Sequence, residues 1–186
     1  MPIHDDRKMI QLMDKLVGNR VVLRPITYDD TQDIIRWRNS DFVRNQFLYR
    51  ELFTKESHET WMSEKVETGK VVQFIIIEKS SGLSIGSAYL RDIDDANRKC
   101  EFGIFIGEEE KCGLGYGKEA AVLTTQYAFA QLRMHKVFLR VLESNERARR
   151  SYHSAGFMEE GISRDEVWID GVPHSVVFMA RLEDRL

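Results

Sequence analysis

The sequence predicts an α/β fold: one domain with a mixed, mostly antiparallel sheet flanked by helices. Two observations carry this. Runs rich in β-branched residues alternate with amphipathic stretches along the chain, and the strands arrive in clusters joined by short polar turns, which favours antiparallel pairing. A third feature, the stretch "KCGLGYGKEA" from Lys111 to Ala120, puts three glycines at the mouth of the longest helical segment.

Residues 5–17 place Met9, Leu12, Met13, Leu16 and Val17 on one helical stripe, so a short amphipathic helix closed by Gly18 and Asn19 is expected, forming an extension over residues 1–19. "RVVLRPI" (Arg20 to Ile26) reads as a strand ended by Pro25. Thr27 and Asp30 have the spacing of a helix cap, and Ile34, Ile35 and Trp37 give the following helix its apolar face. A further helix is expected to start at Thr54. "VVQFIIIEK" (71–79) and "SIGSAYLRDI" (84–93) flank the turn "SSGL" as a hairpin, and "KCEFGIFIG" (99–107) is the third strand of the cluster. A long helix from Gly115 to about Arg133, the strand "KVFLRVL" (136–142) and a helix over 145–156 follow. The chain closes with two strands around Asp170–Gly171.

With 186 residues and 42% hydrophobic content the chain suffices for one sizeable core. Its 27 Lys plus Arg against 30 Asp plus Glu leave a net charge of -3 without a basic tail, which argues against general nucleic-acid binding. No stretch reaches the roughly 18 apolar residues of a membrane span, and the N-terminus lacks the apolar core of a signal peptide. A cytoplasmic protein is expected. Cys100 and Cys112 show neither a disulfide framework nor metal-ligand spacing, so no metal is expected.

A strand, a glycine-rich turn and a helix form a geometry in which backbone N–H groups converge on an anion, because the first amides of a helix lack internal partners. Without Cβ atoms, Gly113, Gly115 and Gly117 allow an oxygen-rich ligand to approach the main chain. The spacing fits neither a nucleotide-binding P-loop, which needs GxxxxGK and then Ser or Thr, nor a dinucleotide fingerprint early in a βαβ unit.

After one more strand comes "NERARRSYHSAGF" (Asn145 to Phe157). Together with Cys112 to Gly117, it makes the chain resemble the GNAT superfamily of N-acetyltransferases. There, Q/R-x-x-G-x-G/A holds the acyl-CoA pyrophosphate and N-x-x-A-x-x-x-Y-x-x-x-G-F marks the next helix. Asn145, Ala148, Tyr152, Gly156 and Phe157 match. Cys112 stands where the family usually has Gln or Arg, with Lys111 beside it.

The resemblance implies a GNAT domain over residues 20–186 and acetyl-CoA as cosubstrate. Cys112, Gly113, Leu114, Gly115, Tyr116, Gly117 and Lys118 would form the pyrophosphate loop. Phe105, Ile106 and Gly107 would pair with the pantetheine arm and present an amide to the thioester oxygen. Asn145 would bond the pantetheine amide, and Arg150 would meet the CoA phosphates. Tyr152 would be the general acid and Glu101 the general base, an ion-paired structural role being the alternative for Glu101. His58 is a second titratable candidate.

The partner would be a small-molecule amine. Segment 34–61, with "WRN" and "ESHETW", looks like the branch that acetylates nucleotide-linked 4-amino sugars. Arg38, His58 and Trp61 would hold such an acceptor, with Arg44, Trp37, Phe47 and Tyr49 as further contacts; the alternative for Trp37 and Trp61 is that they are core anchors. The chain also resembles spermidine acetyltransferases, for which Glu108, Glu109 and Glu110 would supply an acidic groove, and ribosomal-protein N-terminal acetyltransferases. A non-catalytic acyl-CoA sensor is the alternative of another class. A monomer or homodimer is expected.

Overall fold

The computed structural model describes residues 15–183. Eight strands form one sheet in the order β1-β2-β3-β4-β5-β6-β8-β7: Leu16–Val17 (β1), Val21–Pro25 (β2), Val72–Glu78 (β3), Ser84–Asp94 (β4), Lys99–Ile106 (β5), Lys136–Leu142 (β6), Met158–Ile169 (β7) and Val172–Leu182 (β8). All neighbours pair antiparallel except β5 and β6. The mixed, mostly antiparallel sheet is the one the sequence predicts.

Helices α1 (Thr31–Asn39), α2 (Asp41–Arg44) and α3 (Lys55–Trp61) follow β2; α4 (Tyr116–Ala130) and α5 (Glu146–Ser154) flank β6 in sequence. Thr27 and Asp30 form the expected capping box. Thr54 caps α3 through Ser57, and the helix runs on into a π-helical turn at Met62–Val66.

One expectation is corrected at the N-terminus. The predicted helix over 5–17 lies mostly outside the described residues, but its end, Leu16–Val17, is a strand paired with Leu23 and Val22. Gly18 and Asn19 are a hairpin turn, closed by Gly18 N–H donating to the Val21 carbonyl at 2.9 Å, and not a helix cap. Glycine followed by asparagine serves both structures, so local composition did not separate them.

The sheet divides the core. Leu23, Phe74, Leu90, Phe102 and Leu139 pack under α4, while Ile34, Trp37, Val43, Ile75 and Phe105 pack under α1 and α2. Strand alternation sets this division on β5: Cys100 and Phe102 belong to the first cluster and Phe105 to the second. The irregularity in the β4–β5 ladder lies between Arg91 and Asp94 of β4, where Asp92 has φ 49°, so the parity of β5 is intact from Glu101 to Ile106.

The feature that positions the site is a split. The parallel strands β5 and β6 pair only at Lys99, Cys100 and Glu101 with Lys136, Val137 and Phe138. Beyond Glu101 they have no register partners, and the opening is flanked by the N-terminus of α5.

Candidate active site

At the split lies a cavity of about 280 Å³. Its walls come from α1 (Ile34, Arg38), the segment 46–53, α3 (His58, Trp61), β4 (Tyr89, Arg91), β5 (Glu101 to Phe105), β6 (Arg140) and the α5 end (Asn145, Tyr152). Four elements, α1, α3, β5 and α5 with its N-cap residue, thus bring Tyr152, Glu101, Phe105, Asn145, Arg38, His58 and Trp61 to one cavity.

Tyr152 stands edge-on to Phe102 at 6.3 Å and to Phe157 at 6.0 Å between ring centroids. Burial, with a smaller contribution from Tyr89, raises its phenol above the usual range, so it keeps its proton at neutral pH. Asn145 caps α5, its Oδ1 accepting from Ala148 N–H at 3.1 Å.

Glu101 is 4% exposed. Arg91 Nε donates to it at 2.9 Å and Arg140 at 3.0 and 3.3 Å. Burial alone would push its carboxyl up, but the hydrogen bonds and charges of the two arginines outweigh this and hold it below the usual carboxylate range. A carboxylate so engaged has little affinity for an amine proton. Glu101 is thus ion-paired to two arginines in the cavity wall.

Arg38 has the opposite situation. Its guanidinium lies 3.5 Å from the Phe47 ring centroid and 4.7 Å from that of Phe53, a cation–π arrangement. Among the described residues no carboxylate pairs with it and its buried Nε has no hydrogen-bond partner; burial, then the charge of Arg91, lowers its pKa. His58 is 1% exposed, with Nδ1 3.1 Å from the Thr31 hydroxyl and Nε2 unpartnered, and burial keeps it neutral. Trp61 Nε1 donates to Gln73 at 3.0 Å. Arg44 pairs with Asp41 at 2.6 Å and is absent from the cavity wall.

Outside the cavity, residues 112–118 form an open turn. Gly113 and Gly115 adopt φ 75° and 88°, left-handed values that side chains rarely accept. Gly117 lies in ordinary helix, where a Cβ would meet only Ile106 at 3.9 Å. Gly113, Leu114, Gly115 and Lys118 are exposed, and no side chain caps the first turn of α4. This left-handed entry into an uncapped helix fits a pyrophosphate. Gly107 ends β5 beneath the Trp37 ring, where a Cβ would come within 2.2 Å of the indole. Arg150 sits on the exposed face of α5, paired with Glu146 at 3.1 Å, and is the predicted residue farthest in character from the cavity.

Sequence reasoning missed Tyr89, Arg91 and Arg140. The tip of the Tyr89 ring lies against Gly103, where a Cβ would fall 2.2 Å from it and force the ring to shift. A glycine inside an apolar strand is a signal of such close approach. Nothing in the local pattern marks the two arginines.

A strand split beside an uncapped glycine turn, with a half-buried tyrosine across the gap, is the arrangement of an acyl-CoA-dependent acyltransferase. Residues 20–158 match the family model described as "Acetyltransferase (GNAT) domain", and the chain belongs to that family. It is therefore an N-acetyltransferase with acetyl-CoA as cosubstrate. The spermidine N(1)-acetyltransferase of Escherichia coli K12 is 27% identical over 87% of this chain and 86% of its own. The crystal structure of Vibrio cholerae spermidine N-acetyltransferase in complex with CoA and spermine shares the fold at TM-score 0.82 and 24% identity, covering 89% of this chain and 96% of that one. A dodecameric structure of that Vibrio enzyme aligns at TM-score 0.75 and 25% identity, covering 89% of this chain and 95% of that one. Among the described residues, no helix is long and apolar enough to cross a membrane and no His, Cys, Asp or Glu group is placed to hold a metal.

Proposed function

We propose that the chain acetylates the primary amine of a small acceptor that carries an anionic group, of the nucleotide-linked amino-sugar type. One observation carries this reading: the guanidinium of Arg38 faces the cavity without a counter-ion, while the buried carboxylate of Glu101 is already neutralised by Arg91 and Arg140. A phosphate or carboxylate on the acceptor would complete Arg38.

In this reading acetyl-CoA lies along β5, its pyrophosphate on residues 112–118 and its thioester near Phe105 to Gly107. The amine nitrogen attacks the thioester carbonyl carbon; a C–N bond forms, the C–S bond breaks, and the amine gives up a proton to solvent or a neighbouring group. Tyr152 donates its hydroxyl hydrogen bond to the departing sulfur. Its raised pKa makes it a weak acid toward a thiol near 8.5, so its contribution lies in the transition state, where charge on sulfur is developing. Glu101 acts as a positioning residue, fixing Arg91 and Arg140 in the wall.

A polyamine acceptor is the second reading, favoured by the names of the relatives. The acidic groove it would need is weakened here: Glu108 accepts from Arg36 at 2.6 Å and Trp37 at 2.8 Å. We propose a cytoplasmic setting and a monomer or homodimer.

The deciding experiment is thiol release from acetyl-CoA against a panel holding a UDP-linked 4-amino sugar, spermidine, a ribosomal N-terminal peptide and a simple amino-sugar phosphate. Turnover with an anionic acceptor supports the proposal. Turnover with spermidine alone replaces it by the second reading, and CoA binding with no turnover on the panel counts for a sensor.

A further inference from the structure

We propose that Glu78 is a positioning residue for acetyl-CoA, holding the glycine turn in its binding shape from behind. The inference rests on reading residues 112–118 as the pyrophosphate loop.

Glu78 ends β3 and is 4% exposed. Its carboxylate accepts from Lys111 Nζ at 2.8 and 3.1 Å, from Ser81 Oγ at 2.6 Å and from the Tyr116 hydroxyl. Lys111 immediately precedes Cys112, and Tyr116 immediately follows Gly115, so one carboxylate pins both ends of the turn. Its middle is held by a residue of the β1–β2 turn: the Arg20 guanidinium donates to the Leu114 carbonyl and lies 4.4 Å from the Tyr116 ring centroid.

This arrangement answers a problem that the glycines create. Gly113 and Gly115 free the backbone to take left-handed values, and that freedom would be lost on each binding event. Ties from the end of β3 and from the residue preceding β2 remove it beforehand, so less ordering is charged against affinity. The same ties keep the ammonium of Lys111 on Glu78, leaving the main-chain amides to meet the diphosphate. The carboxylate is well suited to a permanent tie: hydrogen bonds from Lys111, Ser81 and Tyr116 lower its pKa to about 2, so it stays ionised at any working pH.

The test is calorimetric binding of CoA to the full chain, with E78Q, Y116F, the double variant and G115V. We expect E78Q to raise the CoA dissociation constant about tenfold and Y116F to raise it in the same direction. The double variant should be no worse than E78Q, because both remove ties to one carboxylate. The amine KM should stay within about twofold of the original, since Glu78 faces no part of the acceptor cavity.

A lower melting temperature with unchanged CoA affinity would leave Glu78 a merely structural residue and overturn the proposal. If E78Q does not fold, unchanged affinity in Y116F overturns it equally. G115V separates the two levels of failure. Weakened binding in G115V with none in E78Q and Y116F removes Glu78 alone, whereas unchanged binding in all variants removes the loop assignment as well. None of the binding outcomes depends on knowing the amine.

Discussion

The cosubstrate side and the acceptor side of this molecule are built from different materials. The first, as proposed, is made of main chain: the glycine turn, the edge of β5 that β6 leaves open and the uncapped start of α4. The second is made of side chains converging from α1, α3, β4, β5, β6 and the segment 46–53. Backbone sites depend on φ and ψ and accept many side-chain changes around them. Side-chain sites depend on charge balance, so one substitution can change what they bind. The fold can therefore keep its acyl donor while its acceptor drifts, which is why family membership fixes the reaction here and leaves the amine to the charge of the cavity.

The variants that probe this contrast are ordered by expected size. Tyr152→Phe sits at the junction of the two sides and should lower kcat by about ten- to a thousandfold with CoA affinity unchanged; steady-state rates with calorimetry check this, and an unchanged kcat removes Tyr152 from the chemistry. Arg38→Met should raise the KM of an anionic acceptor about ten- to a hundredfold, the worth of a hydrogen bond to a charged group, and leave CoA binding alone. With a polycationic acceptor the same change should lower KM, so the sign of the shift reports which reading holds. Gly115→Val should weaken CoA binding about tenfold through backbone strain at φ 88° while the amine KM holds.

Glu101→Gln should leave the pH dependence of kcat unchanged and act on stability instead. The folded carboxyl titrates below its unfolded value near 4.3, so its contribution is complete above about pH 4.3 and fades as pH falls through the lower folded value. The original chain should lose stability over that acid window, and the variant should lack this part of the slope while being about 3–5 kcal/mol less stable near neutrality. Denaturant melts at several pH values measure both. Loss of an acidic, ascending limb from the variant's rate profile would return Glu101 to the role of base.

The same contrast explains what could be read from residues alone. The turn at 113–117, the strand 99–106 and the helix 146–154 announce themselves through glycine, β-branched and capping residues, and their order leads to the sheet. Leu16–Val17 misled because Gly18–Asn19 closes a helix or a hairpin with equal ease, and only pairing with β2 decides. The acceptor wall was half legible. Arg38, His58 and Trp61 lie on one sequence segment, but Arg91 and Arg140 reach Glu101 across two other strands, and no local pattern encodes a partner 39 residues away. Glu78 was invisible for the same reason, being 33 residues from Lys111.

The short seam between β5 and β6 has a consequence for aggregation. An unpaired strand edge normally lies at the rim of a sheet, where it is a template for joining other chains. Here such an edge is moved to the interior of the sheet, where it lines the cavity together with residues of α1, α3 and α5. The sheet thus keeps the adhesive property of an edge inside the fold, and those amide hydrogens of residues 102–106 that point into the gap, away from β4, should exchange faster than the ones bonded to β4 until a ligand fills the gap.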